Sequence, residues 1–390
     1  LQLCDKTWQF ECVCHDWGSE FSMIHAFSAH TTIKKAYSWV CARRKLFPAT
    51  NDIWSLRREY GDSYVRELSR TLLKGNYTFS PVEKVMRTDG TVIHIFSAQD
   101  SLVLKAIALV LEKHLRKSDI KVRNLKGSGG SKGPMRAVKR HVELYGHVLK
   151  SDVADYYASI DHNLLRTQLE SIIPCKETIR LISLSLKYTS TYGGLFSTRE
   201  IGIPRGSPLS PVLGALFLLP LDKALNKNNV FYTRYMDDYV VLANTRHQLR
   251  QAVKTMYKVL EQLKLTVAKA KTYIGKTSKG FDFLGYHVVP KKNLSIASKT
   301  VAQCVSNISR LYERGASKER IGKYMKHFVA WARGGVKRKL KDIDVYNQIS
   351  FSLPSPPRVK DDPCRVKHKT KRNEKCVNWE FGFVSSLYLV

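Results

Sequence analysis

Two adjacent acids, Asp237 and Asp238, sit between two runs that favour strands, Val230–Tyr235 and Tyr239–Ala243. Both runs are rich in aromatic and β-branched residues, which suit a pleated, half-buried surface. So short a gap leaves room only for a tight turn, and the segment reads as a β-hairpin with two carboxylates at its tip. A turn Asp is ordinarily a solvated turn former. Two at one tip, walled by hydrophobic strands, also fit a hard-cation site. On the hairpin alone both readings stand.

Charge bears on the choice. Lys and Arg number 65 against 33 Asp and Glu, a formal charge of +32, and the basic residues are spread along the whole chain. Self-repulsion at this charge works against a compact state, so a polyanion is the expected partner and nucleic acid the natural one. The 390 residues, 43% hydrophobic, suffice for two or three domains. No apolar run is long enough to span a membrane: Leu213–Leu221 is short and contains Pro220. Without a signal peptide, the eight cysteines are expected as free thiols in a reducing cytoplasm. The sets Cys4, Cys12, Cys14, His15 and Cys364, His368, Cys376 lack the paired Cys-x-x-Cys spacing of zinc sites, and free thiols are the better reading. The first residue is Leu1, so the numbered start need not be the translation start.

Periodicity lays out the rest. Residues 1–60 look helical and aromatic-rich, and residues 75–100 read as strands turning at Asp89–Gly90. An amphipathic helix is expected over 101–118, then a Gly-rich basic loop from Lys126 to Gly133 that lacks the Gly-Lys-Ser/Thr end of a P-loop. It reads as a linker or as a backbone contact for phosphates, with Lys126 and Lys132 as its cations. Residues 146–153 form an apolar strand ending in an acid, with a helix following from about Asp161. Helices are expected over 246–263, 297–314 and 317–333, the last stopped by Gly334 and Gly335. Lys318, Lys323 and Lys326 lie along that last helix, either as a solvated face or as a face that tracks a duplex.

Nucleotidyl transfer uses two divalent ions about 4 Å apart, bridging the attacking and leaving oxygens. Mg²⁺ takes carboxylate oxygens and retains waters. The minimal protein part is two or three carboxylates brought together from different strands. Asp237 and Asp238 supply two, and Asp152, 237 − 152 = 85 residues upstream at the end of its own strand, supplies a third.

These residues carry a resemblance. Asp152–Ile160 resembles the first palm motif of reverse transcriptases, Gly202–Pro211 the second, and Tyr235–Asp238 the third, the best-known signature of that family. Lys271 and Thr272 resemble the fourth, and Phe283–Tyr286 the fifth, the primer grip of bacterial group II intron-like enzymes. The set occurs in order over roughly residues 60–335. The resemblance implies an α+β right-hand polymerase fold: an N-terminal helical extension (1–60), fingers with part of the palm (61–145), palm (146–294), helical thumb (295–350) and basic tail (351–390). It implies two Mg²⁺, with Mn²⁺ as substitute, on Asp152, Asp237, Asp238 and the carbonyl of Val153. Asp155, Tyr156 and Tyr157 would line the dNTP site together with Arg87, Arg205 and Gly206. The flat ring of Tyr157 would exclude the 2′-hydroxyl, and Lys271 would neutralise or protonate the leaving pyrophosphate. Phe283, Leu284, Gly285 and Tyr286 would grip the primer. Two positions depart from the family: Arg205 stands where Gln is usual, and His94 falls where a second basic fingers residue is expected.

No nuclease pattern of the H-N-H type follows residue 335, and no RNase H or integrase domain is expected. The chain most resembles the stand-alone, group II-like bacterial enzymes known as defence-associated reverse transcriptases. That implies an associated noncoding RNA as template, dNTPs as substrates, a cDNA product acting against phage, and no membrane partner. An RNA-binding maturase-like scaffold and an intron-encoded enzyme lacking its nuclease domain are the alternatives. Oligomeric state is not legible.

Overall fold

The computed structural model describes residues 20–87, 90–117, 130–192, 195–198 and 200–334. They form two compact units, one within residues 1–119 and 160–213, the other within 120–159 and 214–390. Strands are numbered along the chain: β1 (Val82–Met86), β2 (Val92–Ile95), β3 (His147–Ser151), β4 (Thr189–Tyr192), β5 (Leu195–Thr198), β6 (Phe231–Tyr235), β7 (Asp238–Ala243), β8 (Tyr273–Lys276), β9 (Phe281–Phe283), β10 (Tyr286–Val288) and β11 (Ser295–Ile296).

The first unit sets a sheet of order β2-β1-β4-β5 among helices that include His30–Arg43, Asp62–Leu73 and Ala98–Lys117. Ala98–Lys117 is buried around most of its circumference, through Leu102, Val103, Leu104, Ile107, Ala108 and Leu111, so it is a core helix and not the one-faced amphipathic helix expected. Arg44 is buried beside it, bonded to Asp52 (2.9 Å), the Phe96 carbonyl (2.6 Å) and Ser101 Oγ (2.8 Å), so its desolvated charge is paired.

The second unit is built on an antiparallel sheet of order β6-β7-β3-β8. Val148 and Leu149 of β3 are buried, and Tyr239–Ala243 of β7 are buried on both faces, which is why β7 reads as an unbroken apolar run. Leu149 pairs with Val241 and Ser151 with Tyr239, so the C-terminal end of β3 meets the acidic end of β7. The helix Arg246–Gln262 follows β7 behind a capping box made by Thr245 and Gln248. A smaller sheet, β11-β10-β9, shares a core with the helices Ser298–Glu313 and Lys318–Gly334 through Tyr286, Phe328 and Trp331.

The expected hairpin, the strand ending at Asp152, and the helices near 101–118, 161, 246–263, 297–314 and 317–333 all form. Asp161 caps its helix by accepting from the amides of Asn163 (2.9 Å) and Leu164 (3.0 Å). One expectation fails in place: Lys132 and Gly133 begin the helix Lys132–His141 and do not continue a loop. Pro134 in the first turn lacks only an N–H that has no helical partner there, so it starts the helix without breaking it. Lys126, Asp89, the two outer Cys/His sets and the basic tail lie outside the described residues.

Candidate active site

The hairpin register pairs Tyr235 with Asp238 and leaves Met236 and Asp237 as a two-residue loop. Met236, the first loop residue, has φ of 56°, a left-handed value that favours Gly. Holding a side chain there costs on the order of 1–3 kcal/mol. Arg234 donates to the Met236 carbonyl (2.7 Å) and is itself fixed by Asp222 (Nε to Oδ1, 2.8 Å). Tyr232 also donates to Asp222 (2.6 Å).

Asp152 follows directly on β3 and is 2% exposed. Burial, together with the negative charges of Asp152 and Asp238, pushes the Asp237 carboxyl up to about 7. Lys271, in the short turn Lys269–Lys271, places its ammonium on the Asp152 carboxylate, and this bond raises the lysine's pKa. Lys150 steadies that turn by donating to the Lys271 carbonyl (3.0 Å), and Ser151 Oγ and Thr272 Oγ1 are bonded at 2.7 Å. Three carboxylates and one lysine therefore gather at the open end of β3 and β7.

Among the described residues no group of three His, Cys, Asp or Glu side chains is arranged to hold a metal ion by itself. The donor chemistry fits a hard divalent cation all the same. The raised Asp237 carboxyl would be relieved by a positive charge shared with Asp152 and Asp238, and Mg²⁺ completes its shell with water and substrate oxygens. Val153 is buried and bridged to Val267, so only its backbone carbonyl is a candidate donor.

The residues after Asp152 divide sharply. Asp155 is exposed with φ of 42°, and its carbonyl accepts from the amides of Ala158 (2.8 Å) and Ser159 (3.1 Å). Tyr156 is a core residue, 3% exposed, with its hydroxyl donated to the Gly214 carbonyl. That burial does not fit the expectation that it lines a nucleotide site. Tyr157 is half-buried, and a Cβ on Gly214 would stand 3.0 Å from its Cε1, so this glycine makes room for the ring.

The segment Phe283–Tyr286 is a second two-residue hairpin, with Leu284 (φ 47°) and Gly285 (φ 83°) at its tip. Phe283, Leu284 and Tyr286 are buried, and Gly285 is half-buried, its carbonyl accepting from the Ala297 amide (3.0 Å) and Trp331 packed close against its Cα. The Tyr286 hydroxyl donates to the carbonyls of Trp331 (2.9 Å) and Ala332 (3.1 Å), and its ring stacks on Trp331 at 5.0 Å. Lys318, Lys323 and Lys326 are exposed on their helix. Lys132 is half-buried, and burial with the nearby Arg136 lowers its pKa.

In the first unit, the loop carrying Arg205 and Gly206 docks on β2. The His94 amide donates to the Arg205 carbonyl (2.7 Å), and a Cβ at Gly206 (φ 116°) would run into the His94 carbonyl. Arg205 is exposed and Arg87 half-buried at the end of β1. His94 is 3% exposed with its ring against Tyr188, so it does not stand in for a basic fingers residue. Sequence reasoning missed Arg234, Asp222 and Gly214; the one local signal was an Arg inside a strand otherwise built for burial.

An acidic hairpin, a third carboxylate on the neighbouring strand and a strongly basic chain are the marks of a polymerase-type nucleotidyltransferase. Residues 91–288 match the model of the family "Reverse transcriptase (RNA-dependent DNA polymerase)", and the chain belongs to that family, with its α+β right-hand polymerase fold. The chain is also similar to Protein YkfC of Escherichia coli (strain K12), at 24% identity over 57% of this chain and 70% of that protein. Among solved structures it is similar to chains of a "Partial Cas6-RT-Cas1--Cas2 complex" and a "Cas6-RT-Cas1--Cas2 complex", each at 21% identity, TM-score 0.38 and 62% of this chain. It spans 42% and 26% of those chains, a likeness too slight to argue from. No helix among the described residues is long and apolar enough to cross a membrane.

Proposed function

We propose that this chain copies RNA into DNA, with Asp152, Asp237 and Asp238 as the carboxylates of the reaction centre. The observation that carries the reading is the register that brings Asp152, at the end of β3, to the acidic end of β7, where burial first and then the charges of Asp152 and Asp238 push the Asp237 carboxyl up to about 7. When bound there, two Mg²⁺ (or Mn²⁺) would supply Lewis-acid stabilisation of the attacking and leaving oxygens. Asp152, Asp237, Asp238 and the Val153 carbonyl would hold them. Lys271, already carrying its proton against Asp152, is placed to turn toward a leaving pyrophosphate and neutralise or protonate it. The Tyr157 ring selects deoxyribose by bulk at C2′. Asp155, Arg87, Arg205 and the bare backbone of Gly206 serve the rest of the dNTP, and the hairpin Phe283–Tyr286 serves the primer end.

In this reading residues 1–60 extend the fingers (61–145), 146–294 form the palm, 295–350 the thumb, and 351–390 a basic tail. Lys126, Lys132, Lys318, Lys323 and Lys326 contact nucleic-acid phosphates. Within the family we place the chain with the stand-alone, group II-like enzymes of antiphage defence, on the motif set from Asp152 to Tyr286. An associated noncoding RNA is then its template, and the free Cys41, Cys175 and Cys304 suit a reducing cytoplasm.

Primer extension on an RNA template with dNTPs and Mg²⁺ tests the reaction. Product from wild type and none from Asp237→Ala/Asp238→Ala is expected; equal product from both removes these carboxylates from the chemistry. RNA binding with no extension by wild type would favour a scaffold role. Sequencing the nucleic acid that co-purifies with the chain tests the template assignment.

A further inference from the structure

We infer that Arg234 and Asp222 are a positioning pair, which clamps the peptide ahead of Asp237 and so sets where that carboxylate points. The pair deepens the proposed polymerase reading and rests on it.

Arg234 is 6% exposed, inside β6, two residues before the loop. Its guanidinium engages three elements at once. Nε and Nη2 grip the Asp222 carboxylate of the helix Leu219–Lys227. Nη2 also reaches the Ala215 carbonyl (3.2 Å) in the helix Ser210–Phe217. Nη1 donates to the Met236 carbonyl (2.7 Å). The Met236 carbonyl and the Asp237 amide belong to one rigid peptide plane. Fixing that oxygen therefore fixes the orientation of the plane from which the Asp237 side chain departs. Met236 adopts the left-handed conformation without being Gly, so the turn benefits from an outside hold.

The chemistry suits a positioning role better than a purely stabilising one. A desolvated ion pair is often no more stabilising than apolar residues of the same volume. What apolar residues do not supply is a planar fork of donors that bonds a carboxylate and two carbonyls together. Asp222 is in turn held by the Tyr232 hydroxyl (2.6 Å), so the fork is aimed from behind as well as in front.

The test uses the full chain and two variants. Arg234→Met/Asp222→Leu removes the whole pair while keeping apolar volume, and Arg234→Lys keeps a charge on Asp222 but cannot repeat the fork. Thermal unfolding establishes that each is folded. Hydrogen–deuterium exchange then reads the amides of residues 236–239, and primer extension on poly(rA)/oligo(dT) with dTTP reads rate against Mg²⁺ concentration. The expected result is faster exchange at 236–239, extension slowed by about 100-fold, the order expected for an ångström of misplacement, a raised Mg²⁺ requirement, and unchanged primer–template affinity. A folded variant with wild-type exchange at 236–239, or with wild-type rate and Mg²⁺ requirement, overturns the inference. Should the apolar pair not fold, Arg234→Lys is read by the same criteria. If wild type itself extends no primer, the polymerase reading fails, and the exchange data alone decide whether the clamp exists.

Discussion

Replacing Asp237 by Asn should stabilise the metal-free chain at alkaline pH while abolishing synthesis. The folded site raises the Asp237 carboxyl from 3.8 to about 7, first by burial and then by the charges of Asp152 and Asp238. A carboxyl whose folded pKa lies above its unfolded value binds its proton more tightly when folded. Its contribution to stability is complete below about pH 4 and is lost as pH rises through about 7. Above that, the ionised group opposes folding by on the order of 4 kcal/mol, at about 1.4 kcal/mol per pH unit. The repulsion is shared with Asp152, and relaxation spreads it, so Asp237→Asn should recover roughly half, about 2 kcal/mol. In EDTA at pH 8 this is a rise in Tm of a few degrees; at pH 5, between the unfolded value of 3.8 and the folded value of about 7, the rise should be under half as large, and it should vanish only below about pH 4. Mg²⁺ should then stabilise wild type at pH 8 by mass action, by about 2.7 kcal/mol at a hundred times its Kd, and leave Asp237→Asn nearly unmoved. Differential scanning calorimetry across pH and Mg²⁺ measures each part. A difference between the two proteins that is the same at pH 5 and pH 8, or no gain at all in EDTA, refutes the electrostatic reasoning.

Three further outcomes follow from the geometry. Tyr157→Ala should raise rNTP incorporation relative to dNTP by about 10–100-fold, since removal of a packed group changes discrimination on that scale; competition assays with unchanged discrimination would remove the ring from sugar selection. Gly206→Ala places a Cβ against the His94 carbonyl at φ 116° and should destabilise the chain by about 1–3 kcal/mol, with a higher KM for dNTP; an unaltered melting curve would show that the loop yields freely. Affinity for single-stranded RNA should fall about 100-fold between 50 and 200 mM salt if roughly five phosphates are neutralised; a flat dependence in filter binding would contradict the role assigned to the +32 charge.

Much of this was legible because it is local. The run after Asp237 is apolar because β7 is central in its sheet and buried on both faces, and that burial is written residue by residue. Capping chemistry at Asp161 and the capping box and apolar stripe of Arg246–Gln262 are likewise set by neighbours within a few positions. The sequence alone therefore determined the acidic hairpin, the strand that delivers Asp152, most of the helices and the basic character of the surface.

Side-chain direction and long-range pairing were not legible, because they depend on what packs against each element. Tyr156 and Tyr157 are adjacent aromatics, yet burial under the Gly214 carbonyl makes the first a core residue and leaves the second half-open. Phe283, Leu284 and Tyr286 read as a ligand grip but are drawn inward by Trp331 and its helix. Lys271 lies 119 residues from Asp152 and meets it only because β8 pairs with β3. Arg234 shows the limit most clearly: in sequence it is a basic residue in a strand, and only the helix carrying Asp222, folded back behind the turn, gives its charge a partner and its fork a carbonyl to hold.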